Sequence, residues 1–353
     1  MPLLPDLDEL LALRGAARGL DLHAHRPALA RLAGGHRSAQ RGRGLEFEEV
    51  RPYAVGDDAR NIDWRVTARR GRVHTKLFRE ERERPVWLLA DLHPGLFFGS
   101  RRQLQSALLV RAAALLAWAA AGGGDRLGAL LPGLPGDAAA SRSPVARALP
   151  AAGGAPLAPL ASGRPATAAT TVSAAGPALP GRPTPLPAPP RIFAPRAREA
   201  GVLPVLQALV EAQPRAPGPP RPQGLAEALA ALRPLLQPGS LLLVLSDFAG
   251  LDDAAESLLA PLAARSECRL VWITDPLQAR GLPDGAFRVG LPGRSWWLDG
   301  GASRKAWRAA WDAREARLRG LAARLALPLA RLETAADASE ALRALLQEPR
   351  WAA

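Results

Sequence analysis

The sequence predicts a doubly wound α/β fold built on a mostly parallel sheet. Three short apolar runs, at residues 85–91, 240–246 and 268–274, each reach an aspartate, as buried parallel strands do at the carboxyl edge of a sheet. Segments that are apolar at three- and four-residue spacing lie between these runs and predict helices. Alternating strands and helices favour a sheet with helices on both faces, in which ligands bind at the carboxyl ends of the strands.

The first part of the chain contains predicted helices and strands on either side of the first apolar run. Leucines at helical spacing behind Pro5 and Asp6 predict a helix that runs to about residue 20, and residues 27–32 favour a second short helix. Alternation at residues 73–78 predicts a half-buried strand. After the apolar run, we expect a helix over 104–121 that ends at glycines 122–124, followed by a strand over 126–131.

Regular patterns resume at residues 191–194 and continue to residue 346. Helices are predicted over 202–212 and 225–236, and Asp252 is expected to cap a helix that reaches about residue 264. Residues 287–289 and 296–298 favour an edge hairpin. The remaining predictions are a helix over 303–325, a strand over 329–332 and a helix over 338–346.

Composition divides the chain into three parts. Residues 1–84 form an N-terminal extension rich in charge, and residues 85–131 and 191–353 together supply the sheet domain. Residues 132–190 are almost entirely Ala, Pro, Gly, Ser and Thr without helical or strand periodicity. Such a segment buries too little apolar surface to offset its ordering entropy, so we predict a disordered insertion.

Composition also excludes several classes of protein. The 353 residues carry a formal net charge of +13, but the arginines are spread along the chain and lysine occurs only at Lys76 and Lys305. No aromatic platform interleaves with a basic stripe, so no nucleic-acid partner is expected, although non-specific binding through the arginine surplus stays open as an alternative. The single cysteine excludes a disulfide framework and a multi-thiolate cluster, and the five histidines are too scattered for a histidine-rich zinc site. Cys268, within a predicted strand, is interpreted as a buried, inert thiol.

We expect a cytoplasmic location and no transmembrane segment. The longest apolar candidate, residues 112–121, is about half the length of a membrane span and is interpreted as a buried helix. The first 20 residues contain three acids and lack the basic start of a secretory signal.

The aspartates at the strand ends are the first candidate site. Asp91, Asp247 and Asp275 would gather at one edge of the sheet, where carboxylates could bind Mg²⁺. Acids after strands also cap helices, and that structural interpretation stays open. His93, which directly follows a strand, could be a ligand or a general base, but no serine or cysteine nucleophile stands in a recognisable motif with it. The sequence gives no positive sign of catalysis, and a metal-assisted hydrolase is kept as an alternative.

A dense charged stretch between residues 36 and 84 is the second candidate site. Its arginines and acids are interleaved with glycines and with the aromatic residues Phe47, Tyr53 and Trp64, which favours an ordered surface with internal ion pairs over a solvated charge run. The residues expected to form either a partner-docking surface or a lock between extension and sheet are Glu46, Phe47, Arg51, Tyr53, Gly56, Asp57, Asp58, Arg60, Asp63 and Trp64.

This stretch carries a family resemblance. The pattern S-x-x-x-G-x-G-x-E-F-x-x-x-R-x-Y-x-x-G-D-D-x-R-x-I-D-W-x-x-T-A-R, from Ser38 to Arg69, resembles the hallmark of domain-of-unknown-function family fifty-eight. The resemblance implies a von Willebrand factor A-like, Rossmann-like sheet behind an extension that bears the motif. It also implies a protein-interaction module that is not an enzyme and that acts with a MoxR-type AAA+ ATPase in the assembly or maturation of other proteins.

The resemblance also bears on the metal site. Von Willebrand A domains that bind a metal use Asp-x-Ser-x-Ser, a threonine on another loop and a later aspartate. Here Asp91 and Asp247 match, but His93 and Gly95 occupy the serine positions, and Gln223 stands where the threonine is expected. The site is therefore degenerate, and the sequence predicts a protein without a cofactor.

Overall fold

The computed structural model describes residues 3–22, 45–54, 59, 62–80, 84–133, 189–219, 223–291 and 294–347. The predicted helix at 27–32 and residues 134–188 of the predicted insertion lie outside these ranges. The strands in chain order are β1 (Leu45–Pro52), β2 (His74–Glu80), β3 (Pro85–Ala90), β4 (Arg126–Leu131), β5 (Arg191–Ala197), β6 (Leu241–Ser246), β7 (Glu267–Thr274), β8 (Ala286–Leu291), β9 (Arg294–Asp299) and β10 (Leu329–Glu333).

Nine α-helices lie within the described residues. In chain order they are α1 (Leu7–Ala16), α2 (Trp64–Arg70), α3 (Gln105–Gly122), α4 (Glu199–Glu211), α5 (Gly224–Leu232), α6 (Asp253–Arg265), α7 (Pro276–Arg280), α8 (Gly300–Arg324) and α9 (Ala338–Leu346).

Six strands form the central sheet in the order β10-β7-β6-β3-β4-β5. All neighbouring pairs are parallel except β4 with the edge strand β5, which is antiparallel. The chain builds the sheet outward from β3 in one direction and then returns to place β6 on the other side of β3. This order confirms the predicted fold class, and it puts the topological switch point between β3 and β6.

Helices cover both faces of the sheet. Along β3, the side chains of Val86 and Leu88 enter one apolar core, whereas those of Trp87 and Leu89 enter the other, because successive strand residues face opposite sides. The first core packs against α1, α3, α4 and α9, and the second packs against α5, α6 and α8. Burial on both faces explains why the central strands are continuous apolar runs.

Helix α3 is the central element of the first core. It has 18 residues, longer than the apolar run that we counted in the sequence, and by length and composition it could cross a membrane. In this fold 89% of that segment is buried, as predicted for a core helix. Its end at Gly122 confirms that the following glycines stop a helix.

The N-terminal helix is part of the same core. Asp6 caps α1 by accepting a hydrogen bond from the amide of Glu9, and the helix ends at Ala16, short of the predicted residue 20. Leu10 is fully buried, and its carbonyl oxygen accepts a 3.0 Å hydrogen bond from Nε1 of Trp118. Sequence periodicity therefore identified the helix but not the turn that follows it.

Most of the other predicted elements are present with shifted ends. The predicted helix over 225–236 is α5 and ends early, at Leu232, whereas the short regular segment at 191–194 is the longer strand β5. The predicted hairpin is the antiparallel pair β8 and β9, which forms a sheet of its own. The division into three domains stays a prediction, although all six strands of the central sheet fall within residues 85–131 and 191–353.

Candidate functional site

The candidate site lies at the switch point of the central sheet. Asp91 follows β3 and Asp247 follows β6, and the two strands pair side by side. The amide of Asp91 extends this pairing by donating a 2.9 Å hydrogen bond to the carbonyl of Leu245. Because neighbouring parallel strands end at the same edge, both carboxylates occupy the place where doubly wound sheets bind ligands.

The chain's own side chains satisfy these carboxylates. The hydroxyl of Ser246 donates a 2.6 Å hydrogen bond to Oδ2 of Asp91, and it accepts one from the amide of Phe248. Nε2 of His93 lies 3.2 Å from Oδ1 of Asp247, which also accepts the amide of Ala249 at 2.9 Å. Asp91, His93 and Asp247 are each 4% exposed, so this cluster is sealed from solvent.

A second cation reaches the cluster from helix α8. The Arg314 guanidinium lies 3.5 Å from Oδ2 of Asp247 and also donates a hydrogen bond to the Asp247 main-chain carbonyl. The same carbonyl accepts Nε1 of Trp272 at 3.1 Å. The Trp272 ring stacks on Trp311 at a centroid distance of 5.0 Å, which ties α8 to strand β7. The sequence assigned no role to the side chain of Arg314 or to that of Ser246.

The cluster is electrostatically coupled. Burial disfavours ionisation of Asp247, but the hydrogen bond and charge of His93, the charge of Arg314 and the Ala249 amide together lower its pKa to about 2. Burial also lowers the pKa of His93, but its hydrogen bond to Asp247 and the charges of Asp247 and Asp91 outweigh this effect, so its pKa is raised. Below about pH 6.5, an imidazolium and a guanidinium therefore face the buried Asp247 carboxylate.

This arrangement does not fit the magnesium ion that the fold family would suggest. One ligand atom from each of Asp91, His93 and Asp247 lies within 4.8 Å of the others. However, Mg²⁺ prefers oxygen ligands, whereas His93 offers nitrogen and already binds Asp247. The fixed charge of Arg314 also stands beside one of the two carboxylates. At the position expected for the threonine, Gln223 adopts a left-handed conformation with φ of 59°, and its side chain accepts no capping hydrogen bond from α5.

Asp275 follows β7 at the same edge of the sheet, as predicted, but its side chain does not join the cluster of Asp91, His93 and Asp247. Its side chain caps α7 by accepting the Leu277 amide at 2.9 Å. It also accepts the Ser100 amide at 2.8 Å and the hydroxyls of Ser100 and Thr334. Burial disfavours its charge, but these hydrogen bonds lower its pKa. The alternative interpretation of a post-strand acid, a helix cap, applies here.

The described part of the charged motif combines structural and exposed residues. Asp63 caps α2 by accepting the amides of Arg65 and Val66 at 3.0 and 3.1 Å, while the Trp64 side chain is 69% exposed. Tyr53 is 37% exposed at the end of β1. Arg51 lies within β1 and donates to the Pro52 carbonyl. The remaining motif positions, Gly56, Asp57, Asp58 and Arg60 and the side chains of Glu46 and Phe47, lie outside the described residues.

The chain is similar to known proteins over part of its length, in a region that includes part of the motif. Residues 49–180 match the family described as "Protein of unknown function DUF58". This match confirms the resemblance seen in the sequence. Curated relatives are the uncharacterized proteins Mb1516 of Mycobacterium bovis and Rv1480 of Mycobacterium tuberculosis, each 39% identical over 119 residues, or 34% of this chain. The matched region spans 38% of the length of these relatives.

Two solved structures share low overall similarity with the chain. An aerotolerance-related membrane protein from Bacteroides fragilis, with multiple mutations to serines, gives a TM-score of 0.39 at 9% identity, covering 75% of this chain and 97% of that one. The conserved hypothetical protein BatB from Bacteroides thetaiotaomicron gives 0.37 at 8% identity, covering 74% and 96%.

The DUF58 match covers only part of the candidate site. It includes Asp91 and His93, together with the described motif residues from Arg51 to Trp64. Asp247 and Arg314 lie beyond it, on the second half of the sheet and on α8. The buried cluster therefore joins the matched region to the rest of the chain.

Proposed function

We propose that this chain is a cytoplasmic protein-interaction module that acts with a MoxR-type AAA+ ATPase in the assembly or maturation of other proteins. The observation that carries the proposal is the DUF58 match over residues 49–180, which contains the motif from Arg51 onward and strands β3 and β4 of the central sheet. The partner comes from the family resemblance, and the structure supports a binding role through its exposed aromatic side chains.

The side chains at the switch point bind each other, which supports a role other than catalysis. The Ser246 hydroxyl is hydrogen-bonded to Asp91, and the His93 imidazole is held by Asp247. A general base must reach the proton that it removes, but His93 is buried at 4% exposure and its Nε2 is held by the Asp247 carboxylate. We therefore assign no reaction to this cluster and propose that it stabilises the sheet.

Trp64 is the described motif residue best placed to meet a partner. Large aromatic side chains that are exposed on a free protein often become the energetic centres of an interface. Asp63 holds the start of α2 beneath it, and the His74 amide donates a 3.0 Å hydrogen bond to the hydroxyl of Thr67 on the same helix. The motif thus divides into residues that fix α2 and a tryptophan that α2 presents to solvent.

Affinity capture tests this proposal. The tagged protein is incubated with native lysate and a non-hydrolysable ATP analogue, and the retained proteins are identified. Trp64→Ala is compared with Trp297→Ala, a matched control whose side chain is 72% exposed on the separate hairpin. We expect a AAA+ ATPase to be retained by the parent and by Trp297→Ala but lost with Trp64→Ala.

The other outcomes show whether the proposed partner or the proposed contact surface is wrong. Absence of any AAA+ ATPase on a folded parent protein would overturn the partnership. Retention that is unchanged by Trp64→Ala would keep the partnership but refute Trp64 as its contact. Urea unfolding of each variant provides the folding control, because exposed surface substitutions usually change stability by less than about 0.5 kcal/mol.

A further inference from the structure

A cavity of about 430 Å³ lies beside the carboxyl end of strand β7, apart from the buried cluster. Its walls come from the loop at Ser100 and Arg101, from α7 with the loop that follows it, and from α8. The carboxyl edge of a doubly wound sheet is where ligands of such folds bind. Neither the DUF58 match nor the role proposed for the motif assigns a function to this cavity.

The walls of the cavity are fixed by hydrogen bonds. The amide of Ser100 donates to Asp275 at 2.8 Å, which anchors the first wall. Nε1 of Trp307 on α8 donates to the carbonyl of Gln278 on α7 at 2.8 Å, which joins the other two walls. A preformed cavity avoids much of the ordering cost that binding would otherwise incur.

Three arginines, one from a loop and two from different helices, line the cavity. They are Arg101, Arg280 and Arg304. Arg304 pairs with Asp284 at 2.8 Å, but that carboxylate is 83% exposed. Among the described residues, Arg101 and Arg280 form no ion pair. Because these arginines are far apart in sequence, the fold brings them together, so a local run of basic residues does not explain the cluster.

The basic surface continues along helix α8. A second depression of about 530 Å³ shares Arg304 and is also lined by Lys305 and Arg308. Its lining extends from Gly301 to Asp312, which corresponds to about 16 Å along a helix. The cavity and this depression meet at Arg304 and together are lined by five basic side chains and one acid, Asp312; we call this surface the basic groove.

We propose that the basic groove binds an extended acidic segment of a partner protein. Arginine forks match carboxylates in paired hydrogen bonds, and an elongated row of cations suits a chain of acidic side chains better than a single small anion. Single-stranded nucleic acid is disfavoured, because the Trp307 indole on this face is hydrogen-bonded into the wall and no aromatic platform lines the described groove. The inference rests on the proposed function only in taking the partner to be a protein.

Fluorescence anisotropy with a labelled peptide of ten glutamates tests the groove. The triple variant Arg101→Glu, Arg280→Glu and Arg308→Glu is compared with a control that reverses three exposed arginines elsewhere, namely Arg18→Glu, Arg72→Glu and Arg233→Glu. Both variants carry the same net charge. We expect the groove variant to weaken binding by at least about tenfold and the control by less than about threefold.

Several results would overturn the proposal. They are the absence of saturable peptide binding, equal weakening in the two variants, and tighter binding of a ten-nucleotide thymidine oligomer than of the peptide. Displacement of the peptide by low concentrations of inorganic phosphate would point to a small-anion site and would also refute it. Capture of the ATPase is a separate measurement, so peptide binding without capture would reject the proposed partner and keep the groove.

Discussion

Replacing Asp247 by asparagine tests the interpretation of the switch point as an internal ion cluster. The substitution preserves shape and an acceptor for the Ala249 amide but removes the negative charge that faces His93 and Arg314. Folding lowers the pKa of Asp247 from 3.8 to about 2. Since each pH unit of pKa change is worth about 1.4 kcal/mol, the charge contributes about 2 kcal/mol to the free energy of unfolding near neutral pH.

The sign of the effect follows from the two pKa values. A carboxylate whose pKa is lowered by folding stabilises the protein above its unfolded pKa of 3.8, and this contribution is lost as the pH falls through about 2. His93 acts in the opposite direction: its pKa is raised by folding, so its contribution is complete below its unfolded value of 6.5 and is lost as the pH rises through the folded value. The comparison is therefore cleanest at about pH 6, where both groups are charged.

Urea unfolding at pH values between about 6 and 3 measures the difference between the parent and Asp247→Asn. We expect the variant to be less stable by about 2 kcal/mol at pH 6 and the gap to narrow as the pH falls below about 4. Asp253→Asn is the control, since this carboxylate pairs with Arg317 at 2.5 Å but is fully exposed and should leave the midpoint unchanged. Equal stability of parent and Asp247→Asn at pH 6, or a gap independent of pH, would refute the internal ion cluster.

Three further predictions follow from the same structure. Mg²⁺ at millimolar concentration should leave the melting temperature unchanged, because a cation that bound only the folded state would raise it. A clear rise in the melting temperature by differential scanning fluorimetry would contradict the conclusion that the buried cluster does not suit Mg²⁺. Cys268 is 2% exposed with a pKa raised by burial to about 11, so Ellman's reagent should react with it in urea but not in the folded protein, and rapid native labelling would show that the site opens. Trp311→Ala should cost about 3 to 5 kcal/mol in urea unfolding by removing the stack on Trp272, whereas Trp297→Ala should have little effect; similar costs would show that the stack does not hold α8.

The sequence predicted the parts of the fold that depend on local periodicity. Buried strands such as β6 and β7 are continuous apolar runs, and helix α9 matches the predicted range because a capping Asp337 and apolar spacing mark its limits. Strand order was harder, because it depends on which apolar faces pack together. The antiparallel direction of β5 could not be predicted, since a strand pattern does not encode the direction of its neighbour.

The sequence predicted the aspartates of the candidate site but not the ion pairs that they form. Aspartates after strands identified Asp91 and Asp247, and the same pattern placed Asp275 at this edge, but it could not tell a helix cap such as Asp275 from a member of the cluster. The positive charges of the cluster were not predicted. His93 was considered as a base or a ligand rather than as an ion-pair partner, and Arg314 was one arginine among many on a long helix. Tertiary packing selects the arginine that reaches the sheet, and residue spacing alone does not reveal it.

The pairing of strands β4 and β5 has an evolutionary consequence. Leu131 and Arg191 are register partners, so the two ends of the Pro- and Ala-rich segment between them are held together by the sheet. Closing a longer loop costs only about 0.6 kcal/mol for each doubling of its length. The sheet therefore requires only that these two ends meet, and insertions or deletions can accumulate in the segment while the strand register is inherited unchanged.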